Sequence, residues 1–144
     1  MSFVGSLLTN QELIERFESD TLPGEFHHAE HVRLAFAYMS ECSVVEALDR
    51  FVSALKRFAM LRGKLERYHE TITFAYFFLI HERMVTMSGL EWDEFARRNA
   101  DLLEWKPGIL GRYYHDATLR SDLARRVFVF PDQCVPRDKE SPGV

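Results

Sequence analysis

From Ile72 to Ile80 the chain is apolar except for Thr73, and His69, Glu70, His81 and Glu82 bound this run. At nine residues it is far short of the roughly 20 needed to cross a bilayer, so no membrane span is expected. It is also too apolar around its circumference to lie on a protein surface, because a helix with no polar face must be enclosed by other elements. The run therefore predicts a central helix over about 69–87, ended near Gly89, and requires the rest of the chain to supply amphipathic elements that wrap it.

Those elements can be read from their start and stop signals. Thr9-Asn10-Gln11-Glu12 has the spacing of a capping box, and Leu13, Ile14 and Phe17 follow at helical intervals until Leu22-Pro23-Gly24, which predicts a helix over about 10–20. Val32, Ala35, Phe36 and Met39 predict a second over about 28–40. Ser43-Val44-Val45-Glu46 is another capping box, starting a third helix that runs to about Leu61, with Gly63 as its stop and Val44, Leu48, Phe51, Val52, Leu55 and Phe58 as its apolar stripe. The second and third pair antiparallel. A short helix is expected near 91–99, and Pro107, Gly108 and Gly111 break the following stretch into short helices near 107–114 and 119–127. Val127 to Phe130 has no second strand to pair with and reads as an extended strap over the core. The expected fold is an all-α single domain, a bundle of five to seven helices over 1–131, with a loose C-terminal tail over 132–144.

Composition narrows the function classes. A 144-residue chain with 47% apolar residues can bury one core. Its formal charge of −4 argues against nucleic acid and anionic membrane surfaces, both of which select basic faces. Small neutral or cationic ligands, metals and proteins stay open as partners, and oligomeric state is not legible. Cys42 and Cys134 are isolated thiols, as expected in a reducing compartment. Met1 to Leu8 lacks the basic and long apolar regions of a secretory signal, so a cytoplasmic address is expected.

Chemistry is suggested by histidines. His27, His28 and His31 open the second helix, and His69 opens the central one beside Glu70. At about 100° per residue with His27 at zero, His31 falls at about 40° and His28 at about 100°, inside the arc of Val32, Ala35 and Met39; Glu30 and Arg33 fall outside it and are expected to face water. Histidines at i and i+4 can share one ion. With His69 and Glu70 they give a candidate site of His27, His28, His31, His69 and Glu70 for one divalent metal, Zn²⁺, Fe²⁺ or Mn²⁺. Glu25 and Glu66 each stand three residues before a histidine, as in di-iron bundles, but too few further inward glutamates accompany them. His81 lies about 16 Å along the helix from Glu70 and is excluded. Arg33, Thr73, Tyr76, Tyr113 and His115 are candidate supporting or ligand-binding residues, with Gly111 to Asp116 as a lid if it folds over the site. Thr71 is expected to back-bond within its own helix. Two readings stand: a His/Glu-lined polar site for a metal or small molecule, open to enzymatic use, and a structural or protein-interaction module in which the histidines form a buried hydrogen-bonded layer.

The segments Phe26-His27-His28-Ala29-Glu30-His31-Val32-Arg33-Leu34-Ala35 and Tyr68-His69-Glu70-Thr71-Ile72-Thr73, with the later Arg112-Tyr113-Tyr114, resemble a family of small bacterial proteins for which no activity is established. The likeness spans about residues 17–132. It implies that His27, His28, His31, His69, Glu70 and Tyr113 belong to one site, and it implies no reaction.

Overall fold

A computed structural model describes residues 7–106 and 108–133. Among them the chain is all-α, with eight α-helices, five of them seven residues or longer, two short 3-10 turns and no strand. Helix α1 (Asn10–Glu18) starts as expected: the Thr9 hydroxyl accepts from the Glu12 N–H at 3.1 Å and the Glu12 carboxylate accepts from the Thr9 N–H at 2.9 Å. Each bond satisfies a backbone donor that a helix end leaves orphaned. The helix lays Leu13, Ile14 and Phe17 into the core.

Helix α2 (His28–Glu41) is the most enclosed element, with every residue from 32 to 38 buried. It packs against α1, against α3 (Val44–Leu61), to which Cys42 and Ser43 join it, against α4 (Glu70–Thr86) and against α6 (Ala100–Leu103). Helix α4 buries Thr71, Thr73, Tyr76, Phe77 and Ile80, but it turns Phe78 and Val85 outward, so α2 and α4 share the middle of the bundle.

The expectation that Glu30 and Arg33 face water is corrected: they are 3% and 5% exposed. Helix α1 and helix α5 (Trp92–Arg98) cover that side of α2. The Arg33 guanidinium donates to Asn10 Oδ1 at 2.6 Å and lies 5.2 Å from the Trp92 ring centre. Its charge is thus held by an amide and an aromatic face rather than by water. Burial lowers its pKa to about 10, with Asp93 opposing the shift, so it is still a cation at neutral pH.

The third helix buries Ala47, Phe51, Ala54 and Leu55, a narrower stripe than expected, and Gly63 (φ +66°) lets the chain leave it. At the far end of α4, Arg83 binds Asn99 at 2.8 Å and both Asp101 oxygens at 2.9 and 3.1 Å, tethering the α5–α6 junction. The segment expected to be helical over 107–114 is a 3-10 turn at Ile109–Arg112, and the one expected over 119–127 divides into α7 (Asp116–Leu119) and α8 (Asp122–Arg126). The division falls at Ser121, whose hydroxyl accepts from the Ala124 N–H and starts a new helix.

Val127 to Phe130 is the expected strap, and Thr71 fastens it. This fully buried hydroxyl donates to Val127 O at 2.9 Å and accepts from the Val129 N–H at 3.1 Å. The expectation that Thr71 bonds within its own helix is therefore corrected, since it pairs the strap as a neighbouring strand would. The Tyr114 hydroxyl donates to Val129 O at 2.8 Å. Asp132 and Gln133 donate to Tyr113 O, which extends the anchored stretch to residue 133; the tail over 134–144 lies outside the described residues. No described helix is long and apolar enough to cross a membrane.

Candidate functional site

The four clustered histidines have four different situations. His27 precedes the first turn of α2, so the helical arc does not apply to it. Its N–H is capped by the Glu30 carboxylate at 2.7 Å, and its exposed ring meets Glu25 at 3.2 Å. His28 donates from Nε2 to Leu102 O at 2.8 Å, tying α2 to α6, and its ring packs on Tyr76 and Trp105 at 4.5 and 5.1 Å. Burial lowers its pKa more than the carbonyl raises it.

His69 caps α4 with its own side chain. Nδ1 accepts from the Ile72 N–H at 3.1 Å and Nε2 donates to Leu119 O at 2.7 Å. Both ring nitrogens are spent, and the ring is a neutral tautomer fixed by its two partners. Glu70 accepts from the Tyr68 hydroxyl at 2.8 Å, with Lys56 at 3.9 Å and its ammonium 5.0 Å from the Tyr68 ring centre. Burial and the Glu70 charge together push the Tyr68 phenol up, so it stays protonated.

These positions do not gather the five candidate metal ligands at one point. Among the described residues no three His, Cys, Asp or Glu side chains gather closely enough to hold an ion. His69 has no nitrogen left to offer, His27 stands outward beside Glu25, and Glu70 is engaged by Tyr68 and Lys56. The supporting set is corrected as well: Arg33 lies against α1 and α5, while Tyr113 and His115 are exposed and lie on the strap side, where the His115 N–H donates to Asp132 Oδ1 at 3.0 Å. Gly111 to Asp116 is no lid over the α2 histidines.

What the histidines do border is a cleft of about 1080 Å³ between α2, α3 and α4. Its floor is apolar, with Val32 and Ala35 from α2, Phe51 and Leu55 from α3, and Phe77 and Ile80 from α4. One wall is an aromatic stack in which Phe26 lies 5.4 Å from Phe17 and 4.7 Å from Phe58. Thr73 and Tyr76 line it from α4. His31 enters edge-on, its ring 4.8 Å from Phe26 and 6.1 Å from Phe51. Among the described residues no hydrogen bond reaches its nitrogens. Burial lowers its pKa to about 4, with His28 adding to the shift and Glu30 opposing it. The imidazole is therefore neutral at physiological pH.

Sequence reasoning missed Phe26, Phe58, Tyr68, Lys64, Arg67 and Trp105, all of which line the cleft. One signal was present: Phe51, Leu55 and Phe58 share a face of α3 with i, i+4, i+7 spacing, a face wider than its partners cover. A second depression, of about 960 Å³, lies beyond His69, Tyr76 and Trp105. In the wall between the two, the Tyr76 hydroxyl is buried near Ile109 N and Gly108 yet forms no hydrogen bond of acceptable geometry. Burial pushes it up to about 12.

Comparison of the chain with protein families, with curated proteins and with solved structures returns no match. Of the residues that the motif resemblance groups together, His27, His28, His31 and His69 line the cleft, and Glu70 and Tyr113 do not.

Proposed function

We propose that this protein binds a small, largely apolar organic molecule in the cleft between α2, α3 and α4, with His31 orienting it. The observation that carries the reading is the His31 imidazole, which lies among aromatic rings at the cleft and has no hydrogen-bond partner among the described residues. Its nitrogens open onto the cleft rather than being enclosed by protein, so a ligand with one polar atom over an apolar body can bond them in place of water. A cleft of about 1080 Å³ is slightly larger than the usual small-molecule site, roughly 300–1,000 Å³. With a pKa of about 4, His31 is a weak base, so its contribution is a directed hydrogen bond rather than proton transfer at neutral pH.

The structural reading is favoured for two of the other histidines. His28 and His69 each donate to a main-chain carbonyl of the C-terminal third, at Leu102 and Leu119, and thereby hold the mouth of the cleft in shape. A cytoplasmic address belongs to the same proposal, supported by the absence of any paired-cysteine spacing in the sequence.

The test is a fluorescence titration with the neutral probe N-phenyl-1-naphthylamine. Saturable enhancement is expected for the wild type, and loss of it for Ala59→Trp, which places an indole at a half-buried position on the cleft wall. Saturable binding that survives Ala59→Trp unchanged overturns the assignment of the cleft, and no binding by the wild type overturns the function.

A further inference from the structure

The mouth of the cleft carries more cations than anions in a protein of net charge −4. As the chain leaves α3 at Gly63, it turns Arg62, Lys64 and Arg67 toward the opening, and all three line it. Arg62 is committed within the fold. Its Nη2 meets Asp20 at 2.9 Å and its guanidinium lies 3.6 Å from the Phe58 ring centre, bracing the aromatic wall. Lys64 and Arg67 have no such commitment: both are exposed, and among the described residues no carboxylate comes within ion-pairing distance of either. The acid on the cleft lining, Glu25, already faces His27 at 3.2 Å. His31 borders the same space and is held neutral by burial, and the lysine and arginines of the lining all belong to the 62–67 segment.

We infer, building on the ligand-binding reading above, that the ligand is an amphiphilic monocarboxylate. Its apolar body lies over Phe51 and Phe77, and its carboxylate sits at the mouth between Lys64 and Arg67. Two cations at the rim of an apolar floor match such a molecule in both parts. A guanidinium fork accommodates both carboxylate oxygens, and a water-exposed rim spares the headgroup the cost of burying its charge. A fully apolar ligand would leave these cations without a role, and a molecule charged at both ends would place one charge on the aromatic floor.

The experiment is displacement of N-phenyl-1-naphthylamine by decanoate and by decanol, near pH 7.5 where the carboxylate is ionised. It is run on the wild type and on a Lys64→Gln/Arg67→Gln variant, whose exposed positions leave the fold undisturbed. The wild type is expected to prefer decanoate by about tenfold, a preference that shrinks at high salt. The variant is expected to lose the preference, decanoate and decanol displacing its bound probe equally. Equal displacement by the two in the wild type, or a preference that survives in the variant, overturns the carboxylate inference and leaves the ligand-binding reading standing. Absence of probe binding and of decanoate binding overturns both.

Discussion

A histidine at the start of a helix has unsatisfied backbone donors within reach and can be consumed by them before any ligand arrives, which is what happens at His69. With Nδ1 on Ile72 N and Nε2 on Leu119 O, His69→Ala removes a cap and orphans a carbonyl. It is expected to cost about 1–3 kcal/mol, measured by urea denaturation. A cost below about 0.5 kcal/mol would show that the two bonds are not made in solution. His31 behaves oppositely with pH. Its folded pKa is about 4 against the ordinary imidazole value of 6.5, so between these values the unfolded chain binds a proton that the folded chain refuses. Its contribution is complete above about pH 6.5 and is lost as pH falls toward 4, by up to about 3 kcal/mol. His31→Phe keeps the aromatic packing and removes the titration. The variant is expected to show a visibly shallower fall in stability between pH 7 and 5 than the wild type, and parallel curves would refute the burial of this ring. Tyr76→Phe deletes a hydroxyl that forms no bond and is expected to be neutral or stabilising by up to about 1 kcal/mol; a larger loss would reveal a partner that the described residues do not contain.

Elements whose signals are local came through from sequence, and elements defined by distant cover did not. The Thr9–Glu12 box, the Ser43 cap and the breaks at Gly63 and Gly89 act within four residues of themselves, and α1, α3 and α4 begin and end close to where those signals stand. The outward placement of Glu30 and Arg33 failed because periodicity tells which residues share a face and is silent on how many faces are covered; α1 and α5 close over a side of α2 that looked like a solvent face. The strap was legible as an unpaired apolar run, but its fastening was not, since Thr71 lies 56 residues before Val127 in the chain. That one side chain satisfies a carbonyl and an N–H of the strap at once. Thr71→Val preserves shape while leaving both without a partner, and a loss of about 1–3 kcal/mol is expected, with faster proteolytic cutting within 127–133. If the cutting rate is unchanged, the strap is held by Phe128 and Tyr114 instead.

At the scale of the whole molecule, the histidine cluster drew the reading toward a metal, because sequence shows which residues are near one another along the chain and hides what else their nitrogens touch. The cleft was hidden for a related reason: its floor uses Phe51, Leu55, Phe77 and Ile80, which carry the same helical spacing as residues that pack tightly. Only the relative positions of three helices leave a space between them. Metal and organic ligand make opposite thermal predictions for the intact protein. A divalent ion bound by the histidines would stabilise the folded state by mass action, so chelator would lower the melting temperature and added Zn²⁺ would raise it. With His69 spent on Ile72 and Leu119, and with no three ligating side chains gathered among the described residues, both additions are expected to leave the melting curve where it is. An apolar ligand in the cleft binds the folded chain alone, and the same law predicts about 2.7 kcal/mol of added stability at a hundred times its dissociation constant. Decanoate should therefore raise the melting temperature progressively with concentration, and Ala59→Trp should abolish that rise because the indole occupies the space. A melting temperature that moves with chelator and ignores decanoate would return the function to the histidines and remove it from the cleft.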